Sequence, residues 1–371
     1  MTDTKIKVLI CCFPSDLSGV PSYVRQICTL DPDRFNITIL TQSRGAAFTP
    51  EILPNNVDVI CVEELRNSMS FGSLLTFRRA LLRCVRAIEP DVLHLNGTMF
   101  AAAGRLISLP RGCRRIVTYH GVPFGPGLPL KQKLILLPLE TVLLNASDSR
   151  NIMISKKDFK TISKFNLTRR KLDYVLNSAP AIRLSAFSEV RSEDGPIRII
   201  SVAVFRPQKD YELLLSSFGK LGPDYELLLV GRGTDGSEMR QLAETNAGAA
   251  ALRRIKFMGE RSDVPDLLAK SDVFVLTSRY EGMPIAALEA LSAGMPIVMM
   301  DVGGAEEICS EGSGLIVHQR SPKAVANAIS ELSASLRDGT WDKSLSRTRH
   351  AMLFEECLFL NKMKRIYEDG N

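Results

Sequence analysis

Two glutamates, Glu281 and Glu289, bracket a Gly-x-Pro turn in the run Arg279-Tyr280-Glu281-Gly282-Met283-Pro284-Ile285-Ala286-Ala287-Leu288-Glu289-Ala290. Carboxylates accept protons from hydroxyl groups, and the free backbone N–H groups at a helix start face anions. The preceding run Asp272-Val273-Phe274-Val275-Leu276-Thr277-Ser278 reads as a buried strand. Pro284 suits the first helical position, where its missing N–H costs nothing. On this reading Glu289, over a turn into the helix, reaches a ribose and Glu281 a sugar hydroxyl, which is sugar-nucleotide chemistry. The same spacing also fits two glutamates framing an exposed helix, so the neighbouring motifs must decide.

Those motifs are glycine turns. Gly231-Arg232-Gly233 follows the apolar strand Glu226 to Val230, and Phe257-Met258-Gly259 closes another strand. Asp301-Val302-Gly303-Gly304-Ala305-Glu306-Glu307 follows a third, Pro296 to Met300. Each lies where a strand gives way to a helix, the edge at which open parallel sheets bind ligands. Together they resemble the retaining glycosyltransferases of family 4, which have the GT-B fold. That family carries a Glu, seven residues and a Glu, matched by Glu281 and Glu289, then a Gly-Gly-x-x-Glu, matched by Gly303, Gly304 and Glu307. The resemblance spans nearly the whole chain and is most specific between Ser201 and Val317.

A diphosphate leaving a sugar is stabilised by a metal or by cations and helix starts. The histidines His94, His120, His318 and His350 lack ligand spacing, and Asp31-Pro32-Asp33 falls in an apparent turn, so no metal and no cofactor are expected. Cations are available in Arg206-Pro207-Gln208-Lys209-Asp210. The resemblance assigns Lys209 to the donor phosphates. The family arginine five residues before that lysine is Val204 here; either Arg206 reaches the same phosphate, or one cation is missing. By the same resemblance Glu289 holds the ribose, and Glu281, His120 and the Gly303–Glu307 turn position the sugar. Gly231, Gly282, Met283 and Pro284 complete the donor side. Lys209, Glu281 and His120 stand closest to the reaction.

On the acceptor side, Leu17-Ser18-Gly19-Val20-Pro21 follows the opening strand, with Ser18 in place of the first family glycine and Gly19 in place of the second. His120 stands in Tyr119-His120-Gly121-Val122-Pro123, which resembles the family segment whose histidine lies beside the reacting sugar, and the resemblance implies a neutral imidazole hydrogen-bonded to a sugar hydroxyl. His94 matches an Asp-Val-x-His segment whose second histidine is Asn96 here. It reads as mainly structural, at the edge of the acceptor cleft.

These residues need a frame. Apolar runs at Lys7–Phe13, Asn36–Thr41, Val57–Val62, Val92–Leu95, Arg115–Thr118 and Arg150–Ile154 read as strands, with helical stretches such as Gly72–Ile88 between them. A second series follows at Ile197–Val204, Glu226–Val230, Arg254–Met258, Val273–Thr277, Pro296–Met300 and Gly314–Val317. Strand–helix alternation of this kind predicts an α/β protein with two doubly wound parallel sheets, Rossmann-like domains facing a cleft. The polar passage around Ser192-Glu193-Asp194-Gly195-Pro196 places the boundary between an acceptor-binding domain, 1–186, and a nucleotide-sugar-binding domain, 187–348. The tail 349–371 reads as one helix, which the resemblance returns to the first domain.

Composition agrees with two cores: 371 residues, 45% of them hydrophobic. Residues 1–185 carry 25 basic and 14 acidic side chains, a net +11, which leaves −5 for the rest. Phosphates, an anionic membrane or a solvated face all suit such a positive half. In Pro129-Leu130-Lys131-Gln132-Lys133-Leu134-Ile135-Leu136-Leu137, lysines flank an apolar stretch that fits a membrane contact as well as a core helix. Eight scattered cysteines without a CxxC pair suit reduced thiols in the cytoplasm, and the short run Val8–Phe13 is no signal peptide. The expected partners are a nucleotide-sugar donor, with UDP favoured, and a glycan or lipid-linked acceptor, without nucleic acid. The expected protein is cytoplasmic, or peripheral on the inner membrane face. A sugar-nucleotide epimerase of the same fold and a non-catalytic sugar-nucleotide-binding partner are the alternatives. A dehydrogenase is disfavoured, because no Gly-x-Gly-x-x-Gly follows the first strand.

Overall fold

The structure is a computed structural model that describes residues 5–13, 19–45, 47–65, 70–125, 130–168, 170–182, 195–310 and 312–369. Ser18, Pro129 and the Ser192–Asp194 part of the polar passage lie outside them. The chain divides into two compact units, Met1–Asn177 with Glu356–Asn371, and Ser178–Glu355. The second unit therefore begins ahead of position 187 and extends past 348.

The first unit is built on seven parallel strands: β1 (Ile6–Cys11), β2 (Phe35–Thr41), β3 (Val57–Cys61), β4 (Val92–Asn96), β5 (Arg114–Tyr119), β6 (Arg150–Met153) and β7 (Leu172–Tyr174). Their order is β3-β2-β1-β4-β5-β6-β7. The second has six, β8 (Ile197–Val202), β9 (Tyr225–Val230), β10 (Ile255–Gly259), β11 (Val273–Leu276), β12 (Ile297–Met300) and β13 (Gly314–Val317), ordered β10-β9-β8-β11-β12-β13. Strand order reverses at β1/β4 and again at β8/β11, the switch point at which doubly wound sheets open a crevice beyond the strands' carboxyl ends.

Continuous apolar runs make these strands because helices cover both sheet faces, so no alternation of polar residues is needed. Every residue of β4 and of β12 is buried. The helix Phe71–Ile88 shows the complementary pattern. Ser70 caps it by accepting from Ser73 N, and Phe77, Ala80, Leu81, Cys84 and Val85, on one helical face, enter the core.

Two expectations need correction. The tail is not one helix from 349: Lys343–Leu353 belongs to the second unit and Glu356–Glu368 to the first, with a break at Phe354. Phe354 is fully buried and its carbonyl accepts from Ala179 N at 3.2 Å, a tertiary bond that a continuing helix would forgo. The other is β7, which the sequence pattern misses. Three half-buried residues give no apolar run; Arg150 on β6 instead pairs with Asp173 on β7 at 2.5 Å.

Candidate functional site

The second unit gathers its chemistry on the carboxyl edge. After β8 the chain makes a tight turn, Pro207–Lys209, in which Lys209 N donates to Arg206 O at 2.9 Å. After neighbouring β11 it passes through Thr277 to Pro284. Lys209 Nζ meets Glu281 Oε1 at 2.5 Å, and both side chains are largely shielded from water. Gln208 Nε2 donates to Tyr280 O at 2.8 Å, while Arg279 N donates back to Gln208 O at 2.8 Å. The cation and the carboxylate thus arrive from adjacent strands already oriented toward each other. A donor phosphate can take the lysine as partner, and a sugar hydroxyl the glutamate.

Two glycines let the surrounding turns close. Gly231 has φ +129°, and a Cβ there would stand 2.2 Å from Ala203 O. A Cβ on Gly303 would stand 2.1 Å from Gly282 O, so the turn after β12 lies directly against the Glu281–Gly282 backbone. Gly304 instead lies against the end of the flexible Met283 side chain. Gly282, Met283 and Pro284 are buried. Pro284 is the N-cap of the helix Ile285–Ser292 rather than its first helical residue, and its carbonyl accepts from Ala287 N at 3.1 Å. Glu289 is half-buried on this helix. Glu307 is buried, and its carbonyl accepts from Arg349 Nε at 2.6 Å. Arg206 is exposed beside the turn that carries Lys209.

Sequence reasoning missed Asp210, Arg279 and Arg320. Asp210 accepts from Arg279 Nη2 at 3.0 Å and from Arg320 Nη2 at 2.5 Å. Asp210 adjoins Lys209 and was visible as an acidic residue before a helix. Arg320 carries no signal at all, lying far along the chain after β13.

In the first unit, His94 is buried between Tyr367 Oη (2.6 Å from Nδ1) and Thr118 Oγ1 (2.7 Å from Nε2), a structural placement that ties the last helix to the sheet. His120 lies beyond β5. Its Nε2 is 2.9 Å from Asn96 Oδ1, and its ring packs edge-on against Tyr23 at 4.9 Å. Gly19 opens the helix Gly19–Ile27, and a Cβ there would meet no atom of the described residues within 4 Å. Asp31 Oδ1 accepts from Asp33 N at 2.9 Å, which closes the turn before β2.

Burial lowers the pKa of both His94 and His120 to about 3. Unfolded, each titrates near 6.5, so between those values the unfolded chain binds protons that the folded chain refuses. Stability is therefore expected to fall as pH drops from about 6.5 toward 3. The unfolding midpoint measured from pH 7 to 4.5 should decline, and less steeply in His120→Gln, whose amide can still donate to Asn96. An identical slope in that variant would contradict the assignment.

Two Rossmann-type sheets, the second bearing paired cation and carboxylate on its ligand edge, define the GT-B class. Residues 183–338 match the family described as glycosyl transferases group 1, and residues 17–179 match Glycosyltransferase Family 4. The chain belongs to this glycosyltransferase family. It is 25% identical over 346 residues, 88% of each chain, to the UDP-Gal:alpha-D-GlcNAc-diphosphoundecaprenol alpha-1,3-galactosyltransferase of Escherichia coli. It is 24% identical to the O-antigen biosynthesis glycosyltransferase WbnH, also of Escherichia coli, covering 82% of this chain and 83% of WbnH. In fold it is similar to HepE of Anabaena, solved with UDP and glucose, with a TM-score of 0.80 and 18% identity over 98% of this chain and 100% of HepE.

Proposed function

We propose that the protein transfers a hexose from a UDP-hexose to a lipid-linked glycan of surface polysaccharide synthesis, with retention of configuration and without a metal. The observation that carries this reading is the Lys209–Glu281 pair at the β8/β11 switch point, closed in by the Gly303 turn. The names of the relatives supply the substrate classes: a UDP-sugar donor and a diphosphoundecaprenol-linked acceptor. In the proposed reaction the bond from the anomeric carbon to the diphosphate oxygen breaks, and the acceptor hydroxyl oxygen attacks the face being vacated. Its proton passes to a phosphate oxygen of the departing UDP. Lys209, with Arg206 as a second cation, offsets the charge that grows on that diphosphate. Glu289 holds the ribose, Glu281 and the Gly303–Glu307 turn hold the sugar, and neutral His120 hydrogen-bonds a sugar hydroxyl. The test is UDP binding by calorimetry. Glu289→Ala should weaken it by about 1.5 to 3 kcal/mol, the worth of a hydrogen bond to a charged acceptor. An unchanged affinity would remove Glu289 from the site.

A lipid-linked acceptor requires contact with a membrane surface. No helix among the described residues is long and apolar enough to cross a membrane. The helix Leu130–Ala146 instead turns a face to solvent that includes Leu134 (67% exposed), Ile135 (67%) and Val142 (61%), with exposed Lys131 beside it. An anionic bilayer suits both features, at about 1 kcal/mol for each basic residue near its surface. The protein should sediment with phosphatidylglycerol vesicles at low salt, and Lys131→Glu with Lys133→Glu should weaken that association. Binding indifferent to the substitutions would exclude this surface as the contact.

A further inference from the structure

Behind the Lys209–Glu281 pair, Asp210 adopts an uncommon conformation. Its φ of +52° and ψ of +54° lie in the left-handed region, where a Cβ crowds the backbone. Its carboxylate is nearly inaccessible, yet each oxygen has an arginine: Arg279 on Oδ1 and Arg320 on Oδ2. Arg320 also donates to Thr277 O at 2.8 Å and Ser278 O at 3.0 Å. Thr277 Oγ1 in turn lies 3.1 Å from both Lys209 O and Asp210 O, as their shared donor. The loops after β8, β11 and β13 are thereby tied at one buried carboxylate directly following the lysine.

We propose that Asp210, Arg279 and Arg320 form a positioning clamp that fixes the Lys209 backbone and so aims its ammonium group at the donor diphosphate. This rests on the donor-binding role proposed above for Lys209. The clamp residues touch no substrate in this scheme; they act through Lys209. The chemistry suits that task. A bidentate carboxylate between two guanidiniums resists rotation, and Arg320 at the same time holds the carbonyls of the strand-end segment that leads to Glu281. The left-handed backbone at Asp210 is the kind of local strain that persists where surrounding bonds over-determine it.

The experiment is a double-mutant cycle on UDP affinity. UDP carries on its terminal phosphate the charge that develops as the sugar departs, so it probes the lysine directly. Kd for UDP is measured by calorimetry for the wild type, Lys209→Ala, Arg320→Ala and the double variant, with thermal unfolding of each as a control. Arg320→Ala should raise Kd about 10-fold in the wild-type background and leave it unchanged in the Lys209→Ala background, because the clamp acts only through that lysine. Asp210→Gly, which relieves the left-handed strain while deleting the carboxylate, should show the same dependence even if Arg320→Ala fails to fold. Arg320→Lys should recover part of the affinity. A purely structural role predicts losses that add to that of Lys209→Ala, and additive losses, or none, would overturn the clamp while leaving the donor site intact. If Lys209→Ala itself binds UDP as tightly as the wild type, or the wild type does not bind UDP, the donor-site reading and the clamp fall together.

Discussion

Lys209→Ala is expected to lower turnover by about 10²- to 10³-fold, the loss typical of removing one preorganised group that meets developing charge. The donor KM should change much less. The distinction follows from when the interaction matters. In the intact donor the diphosphate charge is partly masked by the glycosyl bond, and it is fully exposed to the lysine only as that bond breaks. The partner of Lys209 in the structure is Glu281, and because an ammonium has three donors a phosphate can join that pair. Steady-state kinetics of the variant with a turned-over UDP-hexose checks this. A large rise in KM with kcat preserved would make Lys209 a ground-state binder, and unchanged kinetics would remove it from the site.

The second large effect concerns stability. Arg105→Ala should destabilise the first unit by about 3 to 5 kcal/mol, because it strands a buried carboxylate. Arg105 is 1% exposed, paired with Glu140 on the Leu130–Ala146 helix and donating to Tyr119 Oη at 2.5 Å. Tyr119 Oη also donates to Glu140 Oε1 at 2.5 Å. This triad fixes the end of β5 immediately before His120. Arg105→Met combined with Glu140→Leu should recover much of the loss, since no buried charge is then left alone, and calorimetry can compare the two. A single variant as stable as the wild type would contradict the burial of the pair.

The same contrast between local and distant information explains what the sequence reveals. Apart from β7, the strands were legible because each is a short apolar run that gives way to polar residues or glycine, as Val273–Leu276 does at Thr277-Ser278 and then Glu281-Gly282. The Lys209 and Glu281 segments were legible because each sits at a strand end, and their pairing follows from β8 and β11 being neighbours. Asp210 with Arg320 was not legible. Ion pairs between residues so far apart in the chain leave no periodicity, and nothing local distinguishes Arg320 from a solvated arginine. The break at Phe354 was hidden for a similar reason. Helix-forming residues continue on both sides, and only the bond from Ala179 N to Phe354 O shows why the chain stops there. The Arg105–Glu140–Tyr119 triad likewise joins three separate elements through side chains, none of which forms a motif.

Transfer with retention to a lipid-linked sugar is to be read from the anomeric configuration of the product. The protein is incubated with UDP-α-hexoses and a polyprenyl-diphosphate-linked N-acetylglucosamine in the presence of EDTA, and the product is read by nuclear magnetic resonance. The expected product carries a new glycosidic bond with the α coupling constant, and one UDP is released per bond. A β linkage, or an epimerised free sugar formed without acceptor, would contradict retaining transfer.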